Sequence, residues 1–166
     1  MKQSFRTATG LLATGIDPLI EALDFSRIKN KLMTSTEEEV WTFEQCEIAE
    51  REYKRFLTLI KWNNGVSIVP TKQMDKFWHQ HILDTAAYAV DCQQVFGYFL
   101  HHYPYFGING IEDKKNLEAS FKKTKLLYYQ AFGEELDREE AARCKDHSCH
   151  TESNCACRVP GACKNH

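Results

Sequence analysis

The sequence predicts an all-α protein: a compact helical bundle followed by a Cys/His-rich, largely irregular C-terminal tail. Three observations predict it. Apolar residues recur at steps of three and four in several segments, and Pro, Gly or Asn-Gly punctuation separates those segments. The one β-branched run, Val66-Ser67-Ile68-Val69, is short and ends at Pro70, so it reads as an extended connector rather than a central strand. Aromatic residues are plentiful (3 Trp, 7 Tyr, 10 Phe in 166 residues), and that much ring surface needs a core.

The elements follow in order. Pro suits the first helical position, so Asp17-Pro18 predicts a helix running to about Met33, with Leu19, Ile20, Leu23 and Ile28 on one face. Ser35 with Glu38 and Thr36 with Glu39 have capping-box spacing and predict a second helix start. Val40, Phe43, Ala49, Tyr53, Phe56, Leu57 and Ile60 supply its apolar face, and Asn63-Asn64-Gly65 ends it. Thr71 can cap the next helix, which carries Met74, Phe77, Trp78, His81, Ile82 and Leu83. Asp84-Thr85 is a break-and-recap signal before Ala86 to Leu100, and one long helix or two both fit. Pro104 and Gly107 make residues 101–107 an aromatic loop. A last helix starts near Asp113, buries Leu117, Phe121, Tyr128 and Phe132, and ends at Gly133. Glu134 to Arg143 could add a short polar helix.

Composition bounds the function. Lys and Arg number 21 against 23 Asp and Glu, giving a net charge of −2, so the basic excess of a nucleic-acid binder is missing. No apolar run approaches the roughly 20 residues of a membrane helix. Residues 1–16 are broken by Thr and Gly and make a poor signal peptide, which predicts a cytoplasmic protein. The expected organisation is an N-terminal segment with the first helix (1–35), a helical domain (36–143) and a metal-binding tail (144–166). Serine-nucleophile, phosphate-loop and dinucleotide motifs are missing.

The sharpest motif of the body is Asp75-Lys76-Phe77-Trp78-His79-Gln80-His81. Asp75 and His79, four apart, share one helical face, so the carboxylate and imidazole can bind one ion or hydrogen-bond each other. His81 lies about 200° round an ideal helix from His79, so it joins the same ion only if the helix is distorted or ends there, and otherwise reads as a satisfied core histidine next to Trp78. His101-His102 follows about 20 residues later and can return to supply another ligand. Two histidines and a carboxylate suit non-haem iron or zinc with an open position. Tyr88 and Cys92 lie on one stripe with Asp84. They are either core or, as catalytic candidates, the lining of a pocket beside the histidines.

These residues also carry a resemblance. Val69-Pro70-Thr71, Asp75-x-x-Trp78-His79-x-His81-Ile82-Leu83-Asp84-Thr85, Tyr88, Asp91-Cys92, Phe96-Gly97 and Leu100-His101-His102-x-Pro104 occur in that order. Together with Tyr53-x-x-Phe56-Leu57, they resemble the bacterial branch of the glycine-rich domain-containing protein-like family over roughly residues 40 to 110. The resemblance implies a helical domain in which Asp75, His79, His81 and one of His101 and His102 form a site. It implies no particular reaction.

The tail is a separate signal. Cys144, Cys149, Cys155, Cys157 and Cys163, with His147, His150 and His166, put eight soft or imidazole ligands into the last 23 residues. In a reducing compartment such density points to metal or redox chemistry rather than a disulfide frame. Zinc or copper is expected on Cys144, Cys149, His150, Cys155, Cys157, Cys163 and His166, although no Cys-x2-Cys pair is present. The tail could also stay disordered, or wrap back and give a thiolate to the body site. Three functions therefore compete. The first is a metalloenzyme, hydrolase or iron-dependent oxidoreductase, with iron or zinc in the body and a small-molecule or peptide substrate. The second is a non-catalytic metal-handling protein that uses the tail. The third is a helical interaction module.

Overall fold

A computed structural model describes residues 15–36 and 39–136. The described residues form six helices: α1 (Pro18–Glu21), α2 (Ser26–Thr34), α3 (Phe43–Trp62), α4 (Lys72–Leu83), α5 (Thr85–Phe96) and α6 (Ile111–Phe132). Among the described residues there is no β-strand, and no helix is long and apolar enough to cross a membrane. Helix α3 is the hub: α1, α2, α4 and α6 all pack on it, and α4 packs also on α2 and α5.

Local chemistry sets most boundaries. The Asp17 carboxylate accepts the Leu19 N–H at 3.0 Å, with Pro18 at the first helical position of α1. The single helix expected from Asp17 to Met33 is instead two. Asp24 accepts the Ser26 N–H at 2.9 Å, which turns the chain and restarts the helix. The turn drives Phe25 into the core, where its ring meets Tyr53, Phe77 and His81. Burying that ring contributes on the order of 2–3 kcal/mol, more than the few hydrogen bonds an unbroken helix would add.

The predicted start of α3 at Ser35 or Thr36 is also corrected. Ser35 ends α2 in an extended conformation. The Trp41 N–H bonds to Leu32 O at 3.1 Å, and its indole is buried. The capping box is Thr42 with Gln45: Thr42 Oγ1 accepts the Gln45 N–H at 3.2 Å, and Gln45 Oε1 accepts the Thr42 N–H at 2.7 Å. Val40 and Phe43, expected on the core face, are exposed. Ala49, Tyr53, Phe56 and Leu57 are buried.

The remaining elements match the reading more closely. Residues 66–70 form a connector, pinned where Thr124 Oγ1 accepts the Val69 N–H at 2.9 Å. Thr71 Oγ1 caps α4 by accepting the Met74 N–H at 3.3 Å. Asp84 does separate α4 from α5, with the non-helical torsions φ −82° and ψ 69°. Gly97 (φ 77°) stops α5. In the loop that follows, Gly107 (φ 90°) faces Leu117 so closely that a Cβ would collide with it. The Asp113 carboxylate accepts the Gly107 and Asn109 N–H groups at 2.7 and 3.1 Å and closes this loop onto α6. Gly133 (φ 69°) ends α6 as expected. Beyond it, Glu134 is gripped by both Arg55 guanidinium nitrogens at 2.7 and 2.9 Å, and residues 134–136 are not helical. The rest of the polar helix expected to Arg143, and the whole 144–166 tail, lie outside the described residues.

Candidate metal centre

Asp75 and His79 stand on consecutive turns of α4, as their spacing requires. Asp75 is in the first turn, where the positive end of the helix dipole favours a carboxylate. His102 comes from the loop after α5. Residues 99–106 alternate there, with Phe99, His101, Tyr103 and Tyr105 exposed and the even-numbered positions turned inward. His102 is therefore the inward member of the His-His pair. His101 is exposed and lies against Phe99, with ring centroids 5.0 Å apart.

The three side chains converge. His102 Nε2 lies 2.9 Å from Asp75 Oδ1, His79 Nε2 lies 3.5 Å from Asp75 Oδ2, and the two Nε2 atoms are 3.2 Å apart. Among the described residues this is the group of His, Cys, Asp and Glu donors placed to hold an ion. Metal–ligand bonds of about 2.0–2.2 Å separate neighbouring donors by about 2.8–3.1 Å at right angles and about 3.3–3.6 Å at the tetrahedral angle. The observed separations span those values. Two imidazole nitrogens and a carboxylate aimed at one point repel one another unless a proton or a cation lies between them. Asp75 and His102 side chains are 7% and 12% exposed and His79 is 36% exposed, so the group opens to solvent on the His79 side.

A second chain of hydrogen bonds braces the loop. The Trp78 indole N–H donates to Tyr88 Oη at 2.9 Å, and the Tyr88 hydroxyl donates to the Leu100 carbonyl. The Trp78 ring also packs on His102 at 4.6 Å. Tyr88 thus joins the neighbour of one candidate ligand, His79, to a backbone group two residues before the other, His102. Cys92 lies against the same Tyr88 hydroxyl and the Leu100 backbone, and burial pushes its thiol pKa up. Burial likewise raises the Tyr88 phenol well above its usual range. Neither group is poised to ionise at neutral pH, and the Tyr88 hydroxyl is engaged on both sides. The polar atoms of Tyr88 and Cys92, the expected catalytic candidates, meet Trp78, Leu100 and each other rather than the three-donor group.

His81 is not brought to the group. It faces the core, with Nδ1 3.0 Å from Tyr53 Oη and Nε2 3.0 Å from Asp91 Oδ2. The Phe25 and Tyr88 rings pack on it edge-on at 4.9 and 4.8 Å. Both ring nitrogens are thus engaged by protein partners, away from Asp75, His79 and His102. Burial lowers its pKa, and Asp91 offsets only part of that, so the neutral ring is favoured. One tautomer satisfies everything: Nε2–H donates to Asp91 while Nδ1 accepts from Tyr53. The residues missed in sequence are Trp78 as a brace and the Leu100 carbonyl. Trp78 sits inside the motif, but a backbone acceptor leaves no mark in a side-chain pattern.

Glycine-rich domain-containing protein 1 of Arabidopsis thaliana is 35% identical over 89 residues, covering 51% of this chain and 11% of the plant protein. The chain therefore spans about a tenth of that relative's length. No solved structure matches it significantly. A family model matches residues 17–145, which include all six described helices, and the chain belongs to the UCP032817-like family.

Proposed function

We propose that the chain is a metalloprotein in which Asp75, His79 and His102 hold one divalent cation, zinc or iron(II), with at least one position open to solvent. The observation that carries this reading is the convergence of three donor atoms, from two segments 23 residues apart, to separations of 2.9–3.5 Å. Two imidazoles and one carboxylate form a donor set used for both metals. Bound there, the cation would supply Lewis-acid chemistry: activation of water with zinc, or of dioxygen with iron. A small-molecule or peptide substrate would enter from the His79 side. The protein's own work is to hold the donors. The α4 backbone fixes Asp75 relative to His79, and the Trp78–Tyr88–Leu100 brace fixes His102 against them.

The test is metal content of the full chain by plasma mass spectrometry, beside His102→Ala and His79→Ala. The expected result is that each variant carries about one ion fewer than the parent. Equal metal content in all three would refute the reading. It would favour a proton-linked staple, since the His102–Asp75 contact at 2.9 Å is also an ordinary N–H···O hydrogen bond.

A further inference from the structure

We propose that the outer edge of the loop after α5, formed by Phe99, His101, Tyr103 and Tyr105 with Tyr98 beside them, is a binding strip for a neutral carbohydrate chain. The proposal stands on this loop alone and does not need the metal reading.

Four observations support it. First, exposed ring surface is concentrated here. Among the described residues twelve large apolar side chains are exposed, and four of them, Tyr98, Phe99, Tyr103 and Tyr105, fall within eight consecutive positions at 42–61% exposure. Apolar surface gathered in this way on a water-facing loop marks a binding surface. Second, the strip is braced before anything binds. Its inward-facing neighbours hold it: the Leu100 carbonyl accepts the Tyr88 hydroxyl, His102 lies 2.9 Å from Asp75, and the Gly107 and Asn109 N–H groups donate to Asp113. Phe99 itself stands edge-on to the buried Tyr88 ring at 5.2 Å. Little freedom is then lost on binding. Third, the surface is uncharged. From Cys92 to Ile111 there is no Asp, Glu, Lys or Arg, in a chain that is 27% charged. A polyanion such as a nucleic acid needs cations to meet its phosphates, so the complement of this strip is a neutral ligand. Fourth, ring packing selects among neutral ligands. Phe99 with His101, and Tyr103 with Tyr105, have ring centroids 5.0 and 5.5 Å apart. The rings of each pair touch, which leaves no slot between them for the prolines of a proline-rich peptide. What they offer outward is ring face and edge, tipped by tyrosine hydroxyls and the His101 imidazole. A sugar ring has the matching form: C–H groups on one face for the negative face of an aromatic ring, and hydroxyls round its rim for the polar tips.

Affinity electrophoresis of the full chain through gels containing a soluble neutral polysaccharide tests this, with hydroxyethylcellulose, galactomannan, arabinoxylan and soluble starch as the probes. At least one of them should retard the parent chain relative to a gel without it. The double substitution Tyr103→Ala with Tyr105→Ala should raise the apparent Kd at least tenfold and leave the circular dichroism spectrum unchanged, because both side chains are exposed. Should the double variant lose helicity, Tyr103→Gln alone should raise it at least threefold. Retardation by none of the four polysaccharides would overturn the proposal, and so would equal retardation of the parent and a folded variant. Binding of decaproline, followed by tyrosine fluorescence, without binding of any polysaccharide would overturn it in favour of a peptide partner. A concentration-dependent dimer in sedimentation that the double variant abolishes, again without polysaccharide binding, would overturn it in favour of contact between two copies of the chain.

Discussion

Replacing Tyr88 by Phe removes one oxygen atom and separates bracing from catalysis. That oxygen accepts the Trp78 N–H at 2.9 Å and donates to the Leu100 carbonyl, and both Trp78 and Tyr88 are buried. The phenylalanine ring fills the same volume, so no cavity forms. What is lost is the pairing of one buried donor and one buried acceptor, each costing about 1–3 kcal/mol when left unmade. The nearby Cys92 thiol can recover part of one bond, so the expected destabilisation is about 2–4 kcal/mol. With a urea slope of about 2 kcal/mol per molar, the midpoint should fall by about 1–2 M. Freed from Leu100, the loop should hold His102 less well, and metal affinity should drop by about 10- to 100-fold, as is usual when a group orienting a ligand is lost. Urea unfolding followed by circular dichroism measures the first effect, and competition against a chelating dye measures the second. A midpoint shift under about 0.3 M with unchanged metal affinity would refute the bracing role. Weaker metal binding without any loss of stability would mean that Tyr88 acts on the ion directly.

Two further outcomes follow from the same geometry. His81→Ala should cost about 2–4 kcal/mol, because Tyr53 and Asp91 lose their shared partner, yet leave metal stoichiometry at the parent value; loss of one ion in that variant would contradict the placement of His81. On the acid side, burial pushes the Glu50 carboxyl up, but the ammonium groups of Lys29 and Lys54 outweigh it and leave its pKa below the ordinary 4.5. A depressed carboxyl favours the folded state above the unfolded pKa, and that contribution is lost as pH falls through the folded value. Thermal stability should therefore decline as pH drops below about 4.5, and Glu50→Gln should be less stable at neutral pH but flatter over that range. An unchanged slope in the variant would show that the network does not titrate through Glu50.

Much of this architecture is local, and what is local can be read from sequence. Pro18 at a helix start, Thr71 as a cap, the Asp84 break and Gly133 as a stop each depend on a few neighbouring atoms. The misplaced start of α3 has a different origin. Ser35–Glu38 and Thr36–Glu39 have the right spacing, but burial of Trp41 and its bond to Leu32 keep the chain extended until Thr42. The split of the first helix likewise follows from Phe25 finding Tyr53 and Phe77, contacts 28 and 52 residues away. At the site, the Asp75–His79 pair was legible because a helix fixes it. Which of His101 and His102 turns inward depends on how an unpaired extended segment is anchored, and the anchor is a backbone carbonyl. His81 was assigned to the ion because its partners, Tyr53 and Asp91, are set by tertiary packing rather than by spacing.

The most direct test is an anomalous-difference map from crystals grown with zinc or iron(II), recorded on both sides of the metal absorption edge. The account predicts one peak between His79 Nε2, His102 Nε2 and an Asp75 oxygen, at about 2.0–2.2 Å from each. A map without density there, with His102 bonded only to Asp75 and the metal absent or located elsewhere, would contradict it.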